Sequence, residues 1–80
     1  MTPTERMRRE ILRLARATRY SAFISTRRLS GFYNVPEKNV RRELVQLAEE
    51  NRIRFSAAQN REEFIERSPE GIAVRIDLVE

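Results

Sequence analysis

Eighty residues allow one small domain (1–80) with a thin core, since a chain this short buries only about 60% of the surface its unfolded form exposes. The lack of cysteine and histidine excludes disulfides, thiolate or imidazole metal sites, and any catalytic set built on those side chains. A net charge of +4 hides an asymmetry: residues 1–42 carry eleven basic and three acidic side chains, residues 43–80 five and nine.

The first helix is expected over about Pro3 to Arg19. Thr2-Pro3-Thr4-Glu5 has capping-box spacing with Pro3 at the first helical position, and Met7, Ile11, Leu14, Ala15 and Thr18 follow at helical intervals. Arg6, Arg9, Arg13 and Arg16 form a basic row along this helix: a contact for phosphate or for the acidic wing of a neighbouring subunit, or a solvated face. Tyr20 to Ser25 reads as a brief strand or a core plug around Phe23 and Ile24. A short second helix then runs to Tyr33, capped by Ser25 or Thr26, with Leu29 and Phe32 on one face and Gly31 weakening it. Arg27 and Arg28 open this helix, where backbone amides favour an anion.

Asn34-Val35 is a turn, and a third helix covers 36–50. Val40, Leu44, Leu47 and Ala48 give it a strong amphipathic stripe, and Asn51 stands where a left-handed cap belongs. Alternation then takes over. Ile53, Phe55 and Ala57 share one side of a strand, and Ile72, Val74, Ile76 and Leu78 one side of another. The joining segment holds a helical turn near Glu62 to Arg67 and a turn at Ser68-Pro69-Glu70-Gly71. Phe64 and Ile65 either fold back on the sheet or form a docking patch.

The run FISTRRLSGFYNVPEKNVRRELVQLAEENRIRF, Phe23 to Phe55, resembles the winged helix-turn-helix superfamily, especially its GntR-like type. The resemblance implies an α+β fold, mainly α: three helices and a C-terminal β-hairpin wing. Within it Leu29 anchors the second helix, Val35 is buried in the turn, and Pro36 replaces the usual capping Ser. EENRI matches the usual EEGLI exit into the hairpin. The expected function is duplex DNA binding, in a small transcriptional regulator. Its wing departs from the pattern, because Glu62, Glu63, Glu66 and Glu70 face only Arg61 and Arg67.

With the apolar stripe turned inward, Lys38, Asn39, Arg42, Gln46 and Glu49 point outward and Arg41 lies on a flank. Arg42 suits a guanine, Asn39 an adenine, and Lys38 and Arg41 phosphates. Val45 points toward a thymine methyl or packs beneath the wing. The expected nucleic-acid-binding set is Lys38, Asn39, Arg41, Arg42 and Gln46 on the third helix, Arg27 and Arg28 on the second, and Arg9 and Arg13 on the first. No cofactor, metal or catalytic residue is expected. The rival readings are a protein-docking module, as a homodimer or with a partner on the acidic wing, and RNA binding through the same basic face. No membrane-length apolar run and no apolar signal region occur, so a cytoplasmic protein is expected.

Overall fold

Helix α1 (Pro3–Ala17) starts where Thr2 Oγ1 accepts the Glu5 amide at 3.2 Å, and it buries Met7, Ile11, Leu12 and Ala15. It stops two residues before the expected end. The Thr18 hydroxyl turns back to the Leu14 carbonyl at 2.7 Å, and Arg19 and Tyr20 adopt left-handed backbone, φ 61° and 71°. That corner launches strand β1 (Ser21–Ser25), so the segment is a strand rather than a plug. Ala22 and Ile24 enter the core, whereas Phe23 faces solvent, 76% exposed.

Ser25 caps helix α2 (Thr26–Tyr33) by accepting the Arg28 amide at 3.2 Å. Leu29 is buried, but Phe32 is not: it is 77% exposed and sets its ring edge-on to Tyr33 at 4.9 Å. Asn34 closes α2 in left-handed conformation, φ 55°, a shape its short polar side chain tolerates, and the buried Val35 follows. Helix α3 (Glu37–Glu49) begins after Pro36, which offers no side-chain cap. Val40, Leu44 and Leu47 are fully buried. Asn51, φ 60°, ends the helix: the Arg52 amide bonds the Leu47 carbonyl at 2.9 Å and the Asn51 amide the Ala48 carbonyl at 3.0 Å. This is a Schellman closure with asparagine in place of glycine.

Strand β2 is only Ile53–Arg54, shorter than the alternation through Ala57 implies. The chain leaves the sheet at Phe55, makes a 3₁₀ turn (Ser56–Asn60), and folds into helix α4 (Arg61–Arg67). The rings of Phe55 and Phe64 meet at 5.2 Å, tilted by 56°, and both side chains are buried, so Phe64 folds back on the core. Gly71, φ 77°, turns the chain into strand β3 (Ala73–Leu78).

This computed structural model describes residues 1–79. Its fold is α+β, mainly helical, with four α-helices and a three-stranded antiparallel sheet among the described residues. The expectation of three helices is corrected by α4, which forms because burying Phe64 gives a seven-residue segment the tertiary support it lacks alone. Strand order is β1-β3-β2, so the last strand lies in the middle. Ser21 faces Asp77 and Ser25 faces Ala73 on one side of β3, while Ile53 faces Leu78 on the other. The helices cover the sheet face bearing Ala22, Ile24, Ile53 and Ile76, in one hydrophobic cluster with Met7, Ile11, Leu44 and Leu47. No helix of the described residues is long and apolar enough to cross a membrane.

Candidate nucleic-acid interface

Helix α3 has three occupied sides and one open ridge. Val40, Leu44 and Leu47 fill the core side. A second side is covered by α4, which runs antiparallel to it. Lys38 Nζ pairs with Glu66 at 2.5 Å near one end, and Arg61 pairs with Glu49 near the other. Arg8 straps the third side from α1, its Nε 3.3 Å from Glu43 and its Nη2 on Glu50.

Arg41 belongs to the side under α4, and here the sequence reading is corrected. It is 5% exposed, and its Nε donates to the Ile65 carbonyl at 3.0 Å. Its Nη1 lies 3.9 Å from Glu37 Oε2 without a hydrogen bond. A side chain enclosed in this way does not reach a phosphate. Val45 is buried beside it, which excludes the base contact and leaves the packed alternative. The two outcomes share one cause: residues 41 and 45 lie one turn apart on the same flank of α3, and that flank is interior.

The open ridge is Asn39, Arg42 and Gln46. Arg42 Nη1 donates to Asn39 Oδ1 at 3.1 Å, and Gln46 Nε2 to Glu50 Oε2 at 3.3 Å. Lys38 borders the ridge, tied to Glu66. Arg27, exposed on the first turn of α2, lies 3.6 Å from Glu37 Oε1 and reaches over Gly71, where a Cβ would come within 3.1 Å of Arg27 Cζ. Arg28, also exposed, shares a shallow groove between α1 and α2 with Arg13, Leu29 and Phe32. Arg13 is held by Glu10, its Nε donating to both carboxylate oxygens at 3.1 and 3.0 Å. Arg9 is exposed on α1 in a different groove, with Arg8 and Arg52. The nine expected residues are therefore not one continuous surface. Arg13, Arg27, Lys38 and Arg41 each lie within 4 Å of a carboxylate of the chain itself, whereas Arg42 meets Glu66 only at longer range and Arg9 shares its groove with Glu5.

Glu37 is the residue that sequence reasoning missed. Its Oε2 accepts the Gly71 amide at 2.7 Å and the buried Thr26 hydroxyl at 3.2 Å, with Arg27 and Arg41 on either side. One carboxylate thus joins the starts of α2, α3 and β3. The available signal was an acid in the first turn of a helix, where the dipole favours it, directly after a proline without a cap. The Gly71 amide, then the Thr26 hydroxyl and the two guanidinium groups, hold Glu37 below the usual carboxylate range. Lys38 does the same for Glu66, Arg8 for Glu50 and Arg13 for Glu10.

These shifts set the sign of an acid response. A carboxyl whose pKa is lower folded than unfolded stabilises the fold at pH above its unfolded pKa, and that stabilisation is lost as pH falls through the folded value. Stability is expected to be level near neutrality and to decline below about pH 4.3, the ordinary glutamate pKa. Urea melts between pH 3 and 7 check this, and Glu37→Gln should flatten the decline.

Among the described residues no three His, Cys, Asp or Glu side chains gather as a metal site. Comparisons with family models, with curated proteins and with solved structures find no match to this chain.

Proposed function

We propose that the chain is a winged helix-turn-helix module that binds duplex DNA through the open ridge of α3, as a small transcriptional regulator. The reading is carried by one observation: the second helix of a pair joined by a three-residue turn, Asn34 to Pro36, keeps Arg42 and Gln46 exposed and Asn39 half-buried along its outer side. Further support comes from the sheet order β1-β3-β2 beside that pair and from the exposed Arg27 and Arg28 on α2. In this reading Arg42 leaves Asn39 to grip a guanine edge and Asn39 turns to an adenine, while Gln46 reads further along the groove. Lys38, Arg27, Arg28 and Arg9 meet phosphates, and Arg41 has no contact. The acidic outer side of α4, with Glu62 and Glu63 exposed, points away from the duplex.

Gel-shift titrations at two salt concentrations test this. Four phosphate contacts give a slope of log K against log salt near −3.6. Arg42→Ala should weaken binding by about 1–3 kcal/mol, roughly 5- to 150-fold, and leave the fold intact because the side chain is exposed. A slope near zero, or no complex in about 50 mM salt, rejects the proposal.

Phe32 favours a second reading, a protein-docking module. A large exposed ring beside the Arg13–Arg28 groove suits an acidic partner with an apolar anchor. Phe32→Ala should leave DNA affinity unchanged under the first reading. Competition between duplex DNA and structured RNA separates the two nucleic acids.

A further inference from the structure

Strand β1 is an edge strand, and its free edge carries an unusual set of groups. The Leu78 amide donates to the Tyr20 carbonyl at 2.6 Å, and the Thr26 amide to the Ile72 carbonyl at 3.1 Å. Those two bonds fix the even-numbered residues of β1 as the ones bonded to β3. Alternation in an antiparallel ladder then turns the backbone groups of Ser21, Phe23 and Ser25 to the open side. Ser21 is occupied locally, its carbonyl accepting the Thr18 hydroxyl and its amide leaning on the Thr18 carbonyl at 3.5 Å. Ser25 caps α2 with its side chain, Oγ accepting the Arg28 amide, and ends the strand where the helix begins. Phe23, at the middle of the strand, presents one outward N–H and one outward C=O.

The side chains repeat the message. Phe23 is 76% exposed on the sheet face away from the helices, and Tyr20 is 52% exposed at the corner before it. That corner holds two successive non-glycine residues, Arg19 and Tyr20, at positive φ, where a bulky side chain is strained. The strand sequence SAFIS has no charge and no proline, the devices by which edges are normally blocked.

We propose that β1 pairs antiparallel with β1 of a second copy, about a twofold axis through Phe23. The self-pair needs one donor and one acceptor at its centre, and Phe23 supplies both. Each Phe23 amide donates to the Phe23 carbonyl of the other copy, the two rings lie opposite one another, and Ser21 of one copy faces Ser25 of the other. The result is a continuous six-stranded sheet. The axis stands perpendicular to the sheet, so both helical layers lie on the same side. No charge lies within the strand pair itself, but the same register brings Arg19 of one copy toward Arg27 of the other at each end, so the association should strengthen with salt. The charged neighbour of Phe23 on β3 is Arg75, 3.7 Å from Asp77. Its counterpart in the second copy lies three strand spacings away, about 14 Å, beyond the Debye length of about 8 Å.

Area sets the strength. Two Phe23 rings of about 150–250 Å² each, partly covered to begin with, bury well under the roughly 1,200 Å² of a stable interface. The dimer is therefore weak and appears only at high concentration. Sedimentation equilibrium from about 10 μM to about 1 mM, in the range of weak association, should show the mass rising toward twice the monomer. Phe23→Lys should remain monomeric throughout with an unchanged far-UV spectrum. Hydrogen exchange at the Phe23 amide should slow at least several-fold across the same range in the wild type. A monomer at every concentration overturns the proposal. So does a dimer that survives Phe23→Lys, or one in which Phe23 amide exchange is independent of concentration.

Discussion

Arg41→Ala is expected to lower the stability of the fold by about 2–4 kcal/mol, with no specific loss of nucleic-acid affinity in the molecules that stay folded. The guanidinium lies between α3 and α4, donating to the Ile65 carbonyl and facing Glu37. Truncation leaves that carbonyl without its donor, removes a buried stem, and takes one cation from beside Glu37. Glu37 keeps Gly71, Thr26 and Arg27, which holds the loss below that of a fully orphaned buried charge. Arg41→Met restores the stem without the charge, so it should recover a large part of the stability. Urea denaturation of the two variants, beside gel-shift titration at a temperature where both are folded, makes the measurement. A specific loss of affinity in Arg41→Met with normal stability contradicts the buried placement.

Leu44→Ala is expected to cost about 3–5 kcal/mol, the upper part of the range for a fully buried leucine. Leu44 sits at the centre of the α3 stripe, within the cluster that also holds residues of α1, α2, β1, β2 and β3. Eighty residues at about 0.05–0.15 kcal/mol each give a total stability of roughly 4–12 kcal/mol, so this one change removes a large share of it. Thermal melts should show a broad, low transition or none, and bound DNA should raise the midpoint if the binding reading holds. A shift of less than about 1 kcal/mol is incompatible with Leu44 at the core.

Local chemistry made most of the elements legible. Thr2 and Ser25 are caps with oxygen at the right place, Asn34 and Asn51 tolerate the left-handed shape at two helix ends, and the α3 stripe has unbroken period. Strand β3 alternates as expected, Ile76 inward and Arg75 outward. Long-range packing was not legible. Ile53, Phe55 and Ala57 alternate like a strand, yet pairing ends at Arg54 because Phe55 turns to meet Phe64. Phe32 has helical spacing with Leu29 but lies outside the core, since an eight-residue helix offers only a narrow buried face. Helical angle placed Asn39, Arg42 and Gln46 on one side of α3, but the nine expected residues do not form one surface. Helical angle alone does not reveal that α4 lies on Arg41 and Val45. Nor does a charge count show which guanidinium groups meet carboxylates of their own chain, as Arg8 does with Glu43 and Glu50.

The central place of β3 bears on how the polypeptide acquires its shape during synthesis. β1 and β2 have no partner in the sheet until residues 73–78 arrive between them, and Ser21 must wait for Asp77. A nascent chain that has emerged only as far as α4 holds all the helical segments but no sheet on which to pack them. Such non-local closure slows the search for the native topology and leaves apolar strand surface open to chaperones meanwhile.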